Sequence, residues 1–139
     1  MNKRLRDKAL RDHYILYLWD YYGEEWYSNA WMATKHPIFD GYKLNSRAGQ
    51  IIKDGKQSLD ALIGDYEYNL AEFVTDDDGY KLISSTVNDV EYKLNNDYYN
   101  LVMNIYPKAL PYVRADGKLA PVLFKDNGED VAFIMPLYR

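Results

Sequence analysis

The sequence predicts an α+β fold, in which N-terminal helices pack on a mostly antiparallel C-terminal sheet that carries one further helix. Apolar residues recur at helical spacing before Gly64 and alternate after it, and turn-forming residues separate the later segments. With 139 residues, 47% of them hydrophobic and 27% charged, the chain has the size and composition of one globular unit. We therefore expect a helical region at 1–64 and an α+β sheet region at 65–139 that fold as one cooperative unit.

Three helices are predicted in the first region, followed by one more short turn of helix at 58–63. Residues 2–22 lack Gly and Pro and place apolar side chains on one helical side. Residues 24–34 continue at helix-compatible spacing until Pro37, because the residue before a proline is pushed out of the helical conformation. Residues 44–55 carry an apolar stripe and end at Gly55, which suits a helix C-terminus.

The second region has the two-residue alternation of strands, interrupted by Gly, Asn and Asp. Asp-Gly and Asn-Gly pairs between such runs indicate tight hairpin turns. The expected elements are strands at 66–74 and from Tyr80 onward across an Asp-Gly turn, a strand at 87–94, a helix capped by Asn95 or Asn96 and ended by Pro107, and a hairpin at 119–125 and 131–135 across Asn127-Gly128.

The motif content argues against an enzyme. The chain has no Cys, and its two histidines, His13 and His36, do not have metal-ligand spacing. No phosphate-cradling loop or nucleophile-elbow motif occurs, and the Asp76–Gly79 turn lacks the ligands of an EF-hand. We expect neither catalysis nor a cofactor or metal. The sequence has no secretory leader pattern and no apolar run of about 18 residues, so a cytoplasmic protein without a membrane span is expected.

The C-terminal part carries a resemblance to a known family. The runs DVEYKLNNDYY at 89–99, PVLF at 121–124 and FIMPLYR at 133–139 are similar to the closing half-domain of bacterial β sliding clamps. That resemblance implies that Met135, Pro136 and Leu137 edge a pocket for short peptides of replication proteins. The length and the Tyr-rich, Cys-free composition also resemble small accessory proteins of phages and mobile elements.

Aromatic residues are the compositional outlier, at 16% of the chain with 15 Tyr. Large rings with a polar edge supply most of the energy at many protein interfaces, so Trp26, Tyr27 and Trp31 are the predicted partner anchors, followed by the edge from Met135 to Leu137. We therefore expect a non-enzymatic protein-binding module that engages a nucleic-acid-processing or host-defence protein, for example as an inhibitor.

A DNA-binding regulator is the alternative. Arg47, Gln50 and Lys53 recur every three residues on the polar face of the helix predicted at 45–55, as in a recognition helix. The net charge of −4 disfavours a nucleic-acid partner, because phosphate binding depends on a surplus of cations.

Overall fold

The computed structural model describes residues 1–11, 15–40, 50–87 and 89–137, with the backbone alone at 50 and 52–58. Within these residues the chain forms two α-helices, eleven strands and one π-helical turn at Asp60–Gly64. In chain order the elements are α1 (Lys3–Leu10), β1 (Ile15–Tyr21), β2 (Glu24–Ser28), β3 (Met32–Thr34), β4 (Gln50–Ser58), β5 (Tyr68–Leu70), β6 (Phe73–Asp77), β7 (Tyr80–Ser85), β8 (Val90–Asn95), α2 (Asn96–Ile105), β9 (Leu110–Arg114), β10 (Val122–Asp126) and β11 (Glu129–Ile134).

The strands form two sheets. Eight strands have the order β4-β1-β2-β3-β11-β10-β9-β5, and the other three have the order β6-β7-β8. In the described strands β1 and β4 pair in parallel, and all other neighbours pair antiparallel. The chain is therefore an α+β protein with mostly antiparallel sheets and a few helices.

Apolar side chains cover both faces of the eight-stranded sheet. On one face, Leu16, Met32 and Phe124 share a core with residues of the two helices and of β7 and β8. On the other face, an aromatic cluster that includes Trp19, Trp26, Tyr21 and Phe133 packs beneath Leu59 and Ile63 at the π-helical turn. The large sheet is thus the central layer of the molecule.

Both helices are capped by asparagine. The Asn95 side chain accepts hydrogen bonds from the backbone N–H groups of Asp97 (2.8 Å) and Tyr98 (3.2 Å), so α2 begins where the sequence predicts it. Asn2 caps α1 in the same way, and its own N–H donates to Asn104 Oδ1 at 2.7 Å. This bond joins the start of α1 to the last turn of α2, which packs beside it.

The helical region predicted at 1–64 is wrong. Among the described residues of the first predicted helix only Lys3–Leu10 is helical, and β1 takes up Ile15–Tyr21. The segment 24–34 holds β2 and β3, while the short turn predicted at 58–63 overlaps the π-helical turn Asp60–Gly64. The strands were hidden because β1 is buried on both faces of the sheet, so its apolar side chains run almost without interruption and show no two-residue alternation.

The helix predicted over 45–55 is also wrong where the structure describes it. Residues from Gln50 onward form β4, the edge strand that pairs with β1. Residues 41–49 lie outside the described part of the chain. Since β4 adds to a sheet that already contains β1, β2 and β3, the region 1–64 contributes four of the eight strands of this sheet.

The elements predicted after Gly64 are largely confirmed. The β6–β7 hairpin, β8, the capped helix α2 and the β10–β11 hairpin all occur, with Asn127-Gly128 at the last turn. The strand predicted at 66–74 is instead two strands, β5 and β6, which belong to different sheets. Strand β9 was missed because Pro107 and Pro111 mark the segment as a loop, although Pro111 is paired within the sheet. None of the described helices is long and apolar enough to cross a membrane.

Candidate functional site

A tightly hydrogen-bonded turn holds Trp31 between β2 and β3. The Asn29 side-chain oxygen accepts from the backbone N–H groups of Trp31 and Met32, both at 2.9 Å. Ser28 Oγ accepts from the N–H of Ala30 at 2.9 Å and donates to the carbonyl of Met32 at 2.8 Å. Ala30 takes a left-handed conformation with φ 78°, which turns the chain at this point. The backbone that carries Trp31 is therefore fixed in one conformation.

Residues 135–137, here called the C-terminal strap, connect the two sheets beside this turn. The Met135 N–H donates to the carbonyl of Trp31 at 2.8 Å, on the side of the eight-stranded sheet. The Leu137 N–H donates to the carbonyl of Lys93 in β8 at 2.8 Å, on the side of the three-stranded sheet. The strap thus crosses the seam between the sheets.

An open groove of about 200 Å³ lies along this seam, here called the Trp31 groove, and its lining is mainly apolar. Trp31 is 54% exposed, whereas Tyr98 is buried and accepts a hydrogen bond from Asn29 Nδ2 at 3.2 Å. Asn29 therefore bonds two of the lining residues, the backbone of Trp31 and the side chain of Tyr98. The lining residues are Trp31, Asn95, Tyr98, Met135 and Leu137.

The structure brings together three of the six predicted partner residues. Trp31, Met135 and Leu137 line one groove although more than a hundred positions separate Trp31 from the strap. Pro136 lies between the two strap residues but is buried. Trp31 and the strap can therefore act as one surface.

Trp26 and Tyr27 are not part of that surface. Trp26 is 2% exposed and its ring lies 4.8 Å from the ring of Tyr21 in the aromatic core. Tyr27 is half-buried and packs edge-on against Phe39. The prediction of Trp26 as an anchor is wrong, because its side chain packs in the aromatic core that covers this face of the sheet, whereas the anchor role of Tyr27 stays a prediction.

Two of the three residues predicted to read DNA lie in a strand and not in the expected helix. Gln50 and Lys53 lie in β4, and Arg47 lies outside the described residues. A strand lacks the 3.6-residue period on which the predicted shared face depends. The recognition-helix geometry is therefore lost.

A second concave feature, here called the Tyr22 cleft, lies at the opposite end of β2. It measures about 210 Å³ and combines aromatic rings with carboxylates. The Tyr21 hydroxyl donates to Asp130 at 2.5 Å, and burial together with this bond raises the pKa of Tyr21 well above its usual range. The phenol is therefore a fixed donor at neutral pH. The lining residues are Tyr21, Tyr22, Glu24, Trp26, Glu129 and Asp130.

Asn29 and Tyr98 are site residues that sequence reasoning missed. The Ser-Asn-Ala run between two aromatic segments is typical of turns, and it was the available signal for Asn29. Tyr98 had no local signal, because its place beside Trp31 depends on how α2 packs on the sheet. Among the described residues, no group of three or more His, Asp or Glu side chains is placed to hold a metal ion.

Comparison with known proteins gives no relative: no family model, no curated protein and no solved structure matches this chain. The resemblance of the C-terminal residues to β sliding clamps therefore stays a prediction. The groove and the cleft are the features from which a function is inferred.

Proposed function

We propose that this protein is a non-enzymatic protein-binding module that engages its partner through the Trp31 groove. The observation that carries the proposal is an exposed indole on a turn whose backbone is fixed by four hydrogen bonds from Ser28 and Asn29. Tryptophans in such positions are strongly enriched among the residues that dominate interface energies. A fixed backbone also lowers the entropy lost on binding.

The groove favours a partner segment with an apolar anchor. None of its five lining residues is charged, and Met135 and Leu137 offer flexible aliphatic surface next to the indole. A volume of about 200 Å³ suits one or two side chains rather than a metabolite-sized ligand. Binding through this surface is expected to be insensitive to salt, unlike binding to nucleic acid.

The proposed partner is a protein of nucleic-acid processing or host defence, which this chain would inhibit or recruit. Support comes from the sequence resemblance to sliding clamps, whose terminal Met-Pro segment edges a peptide pocket. Here Met135 and Leu137, from the segment that carries this resemblance, line the Trp31 groove. The phage or mobile-element origin belongs to the same proposal.

The test is quantitative affinity capture from the native host with the wild-type chain, Trp31→Ala and Phe73→Ala, each with and without nuclease. Phe73 is the matched control because it is 51% exposed but lies on β6 of the other sheet. Truncating a true anchor costs about 2 kcal/mol or more of binding, so Trp31→Ala should lose the partner and Phe73→Ala should keep it. Equal capture by both variants, or loss of the partner with nuclease, would contradict the proposal.

Folding controls separate lost binding from lost structure. Trp31→Ala should retain the wild-type free energy of unfolding to within about 1 kcal/mol, because more than half of the side chain already meets solvent. Trp26→Ala should lower it by about 3–5 kcal/mol, because this indole fills the core. Chemical denaturation of both variants measures the difference.

A further inference from the structure

The Tyr22 cleft is distinct from the Trp31 groove and is built around an exposed ring. Tyr22 and Gly23 form the turn between β1 and β2, with φ of 47° and 85°. The Tyr22 side chain is 60% exposed, yet one side of its ring packs closely against Gly64. A Cβ atom added at Gly64 would lie 2.3 Å from the Tyr22 hydroxyl oxygen, so only glycine lets the ring approach the π-helical turn this closely.

A backbone hydrogen bond and ring contacts hold Tyr22 in position. The Tyr22 N–H donates to Asp60 Oδ1 at 2.7 Å. The ring centroid of Tyr21 lies 4.7 Å from that of Tyr22 and 4.8 Å from that of Trp26, with tilted planes in both pairs. Three rings therefore form a continuous aromatic wall that leads from solvent into the core.

The carboxylates of the cleft differ in how far their negative charge is balanced by cations and hydrogen bonds. Glu129 pairs with Lys35, and Asp130 lies 3.7 Å from Lys125 while it accepts the Tyr21 hydroxyl. No hydrogen bond or salt bridge joins the Glu24 carboxylate to the described residues, although its charge helps to raise the pKa of Lys35, and the side chain lines the cleft. Asp60 and Asp65 behind Tyr22 add to the negative potential.

Aromatic rings beside dispersed carboxylates favour a large organic cation over a metal ion. In the described residues the carboxylates are too dispersed to gather three ligands around a metal ion. Aromatic faces instead attract large, weakly hydrated cations through the ring quadrupole, and a nearby carboxylate supplies the counter-charge. Since about 210 Å³ holds one small head group, we propose that the Tyr22 cleft binds an alkylated ammonium group, with the Tyr22 ring against the cation and Glu24 as its counter-charge.

The test is an NMR titration of the isotope-labelled full chain with tetramethylammonium chloride. Sodium chloride at equal concentration controls for ionic strength, and tert-butanol is the neutral molecule of matching shape. Saturable shifts confined to the turn at 21–24, the Trp26 indole and residues 129–130 are expected with tetramethylammonium alone. Equal shifts with sodium chloride or with tert-butanol would overturn the proposal.

Three variants assign the roles. Tyr22→Leu keeps an apolar side chain but removes the ring, and should weaken binding about fivefold, whereas Tyr22→Phe should bind as the wild type does. Glu24→Gln removes the counter-charge and should weaken binding about threefold, with the loss shrinking at high salt. Unchanged affinity in both Tyr22→Leu and Glu24→Gln would overturn the proposal. If one of the two folds poorly, unchanged affinity in the other would overturn it.

A second arm identifies what carries the head group. Choline and an N-acetylated trimethyl-lysine amide present the same cation, one as a free metabolite and the other as a modified protein side chain. Tighter binding of choline assigns the cleft to a small molecule, and tighter binding of the lysine derivative assigns it to a protein tail. If neither ligand binds and tetramethylammonium causes no shifts, the proposal for the Tyr22 cleft is wrong. The proposal for the Trp31 groove is unaffected by that result, because the two sites share no residue.

Discussion

At the scale of single residues, buried polar side chains are tied to the backbone near strand ends. Thr34 Oγ1 donates to the carbonyl of Val131 at 3.1 Å and accepts from the N–H of His36 at 3.2 Å. Asn29 satisfies two backbone N–H groups in the Trp31 turn. A buried polar group left without a partner costs about 1–3 kcal/mol, so these side chains stabilise the turns that they occupy.

His36 provides a pH-dependent contribution at this scale. Burial, followed by the positive N-terminal amine, lowers the pKa of His36 below its ordinary value of 6.5. The unfolded chain therefore binds this proton more readily than the folded chain, and the free energy of unfolding should fall as the pH drops below about 6.5. Urea denaturation at about pH 7.5 and about pH 5.5 should show a smaller loss for His36→Gln than for the wild type. Equal losses would contradict the assignment.

The tryptophans show what the sequence could predict about the site. Residue type alone predicts Trp31 as an anchor, and a short motif predicts Met135 and Leu137; the structure shows that the three line one groove. The sequence does not reveal that Trp26 is buried. Its burial depends on which face of the sheet the side chain lies on, and on the aromatic core that covers that face. Pairing of β2 with β1 and β3 decides both, and no local pattern reveals it.

At the scale of elements, three hairpins share one turn type. Each has a two-residue connection with positive φ at both positions, the conformation that matches the twist of paired strands. Glycine holds the second position every time because it adopts this conformation without strain. The pairs are Tyr22-Gly23, Asp78-Gly79 and Asn127-Gly128.

Gly128→Ala tests the conformational requirement alone. A Cβ atom at Gly128 would meet nothing within 4 Å, so steric clash plays no part, and φ is 81°. The left-handed conformation costs about 1–2 kcal/mol for a residue with a Cβ, and the free energy of unfolding should fall by that amount. Gly23→Ala, with φ 85° and equally open space, is the matched comparison in thermal and chemical denaturation. A neutral effect at both positions would refute the turn assignment.

The same turns explain which elements the sequence revealed. Asp-Gly and Asn-Gly pairs between alternating runs predicted the β6–β7 and β10–β11 hairpins. Tyr22-Gly23 was missed because tyrosine is uncommon in the left-handed conformation, and the flanking strands lack alternation since both of their faces are buried. Asn95 predicted the start of α2 because capping is a local interaction.

At the scale of the whole molecule, distant segments of the chain interleave in one sheet. β3 pairs with β11, and β5 at the far edge pairs with β9. The C-terminal strap adds hydrogen bonds to both sheets. A boundary near residue 64 therefore passes through a shared sheet rather than between separate cores.

Unfolding is expected to be a single cooperative event. Ile83 of β7 and Phe124 of β10 are fully buried in the same core, although they belong to different sheets. Native-state hydrogen exchange in low denaturant should give opening free energies for these two amides that agree within about 1 kcal/mol. A clearly lower value at Ile83 would mean that the three-stranded sheet opens by itself.

The unequal exposure of the three indoles gives the protein an intrinsic optical reporter. Trp19 and Trp26 are shielded by the aromatic core, while Trp31 faces water. A charged collisional quencher such as iodide should reach Trp31 first and remove the red edge of the emission spectrum. A ligand seated in the groove would shield that indole, so occupancy can be followed in real time without a dye.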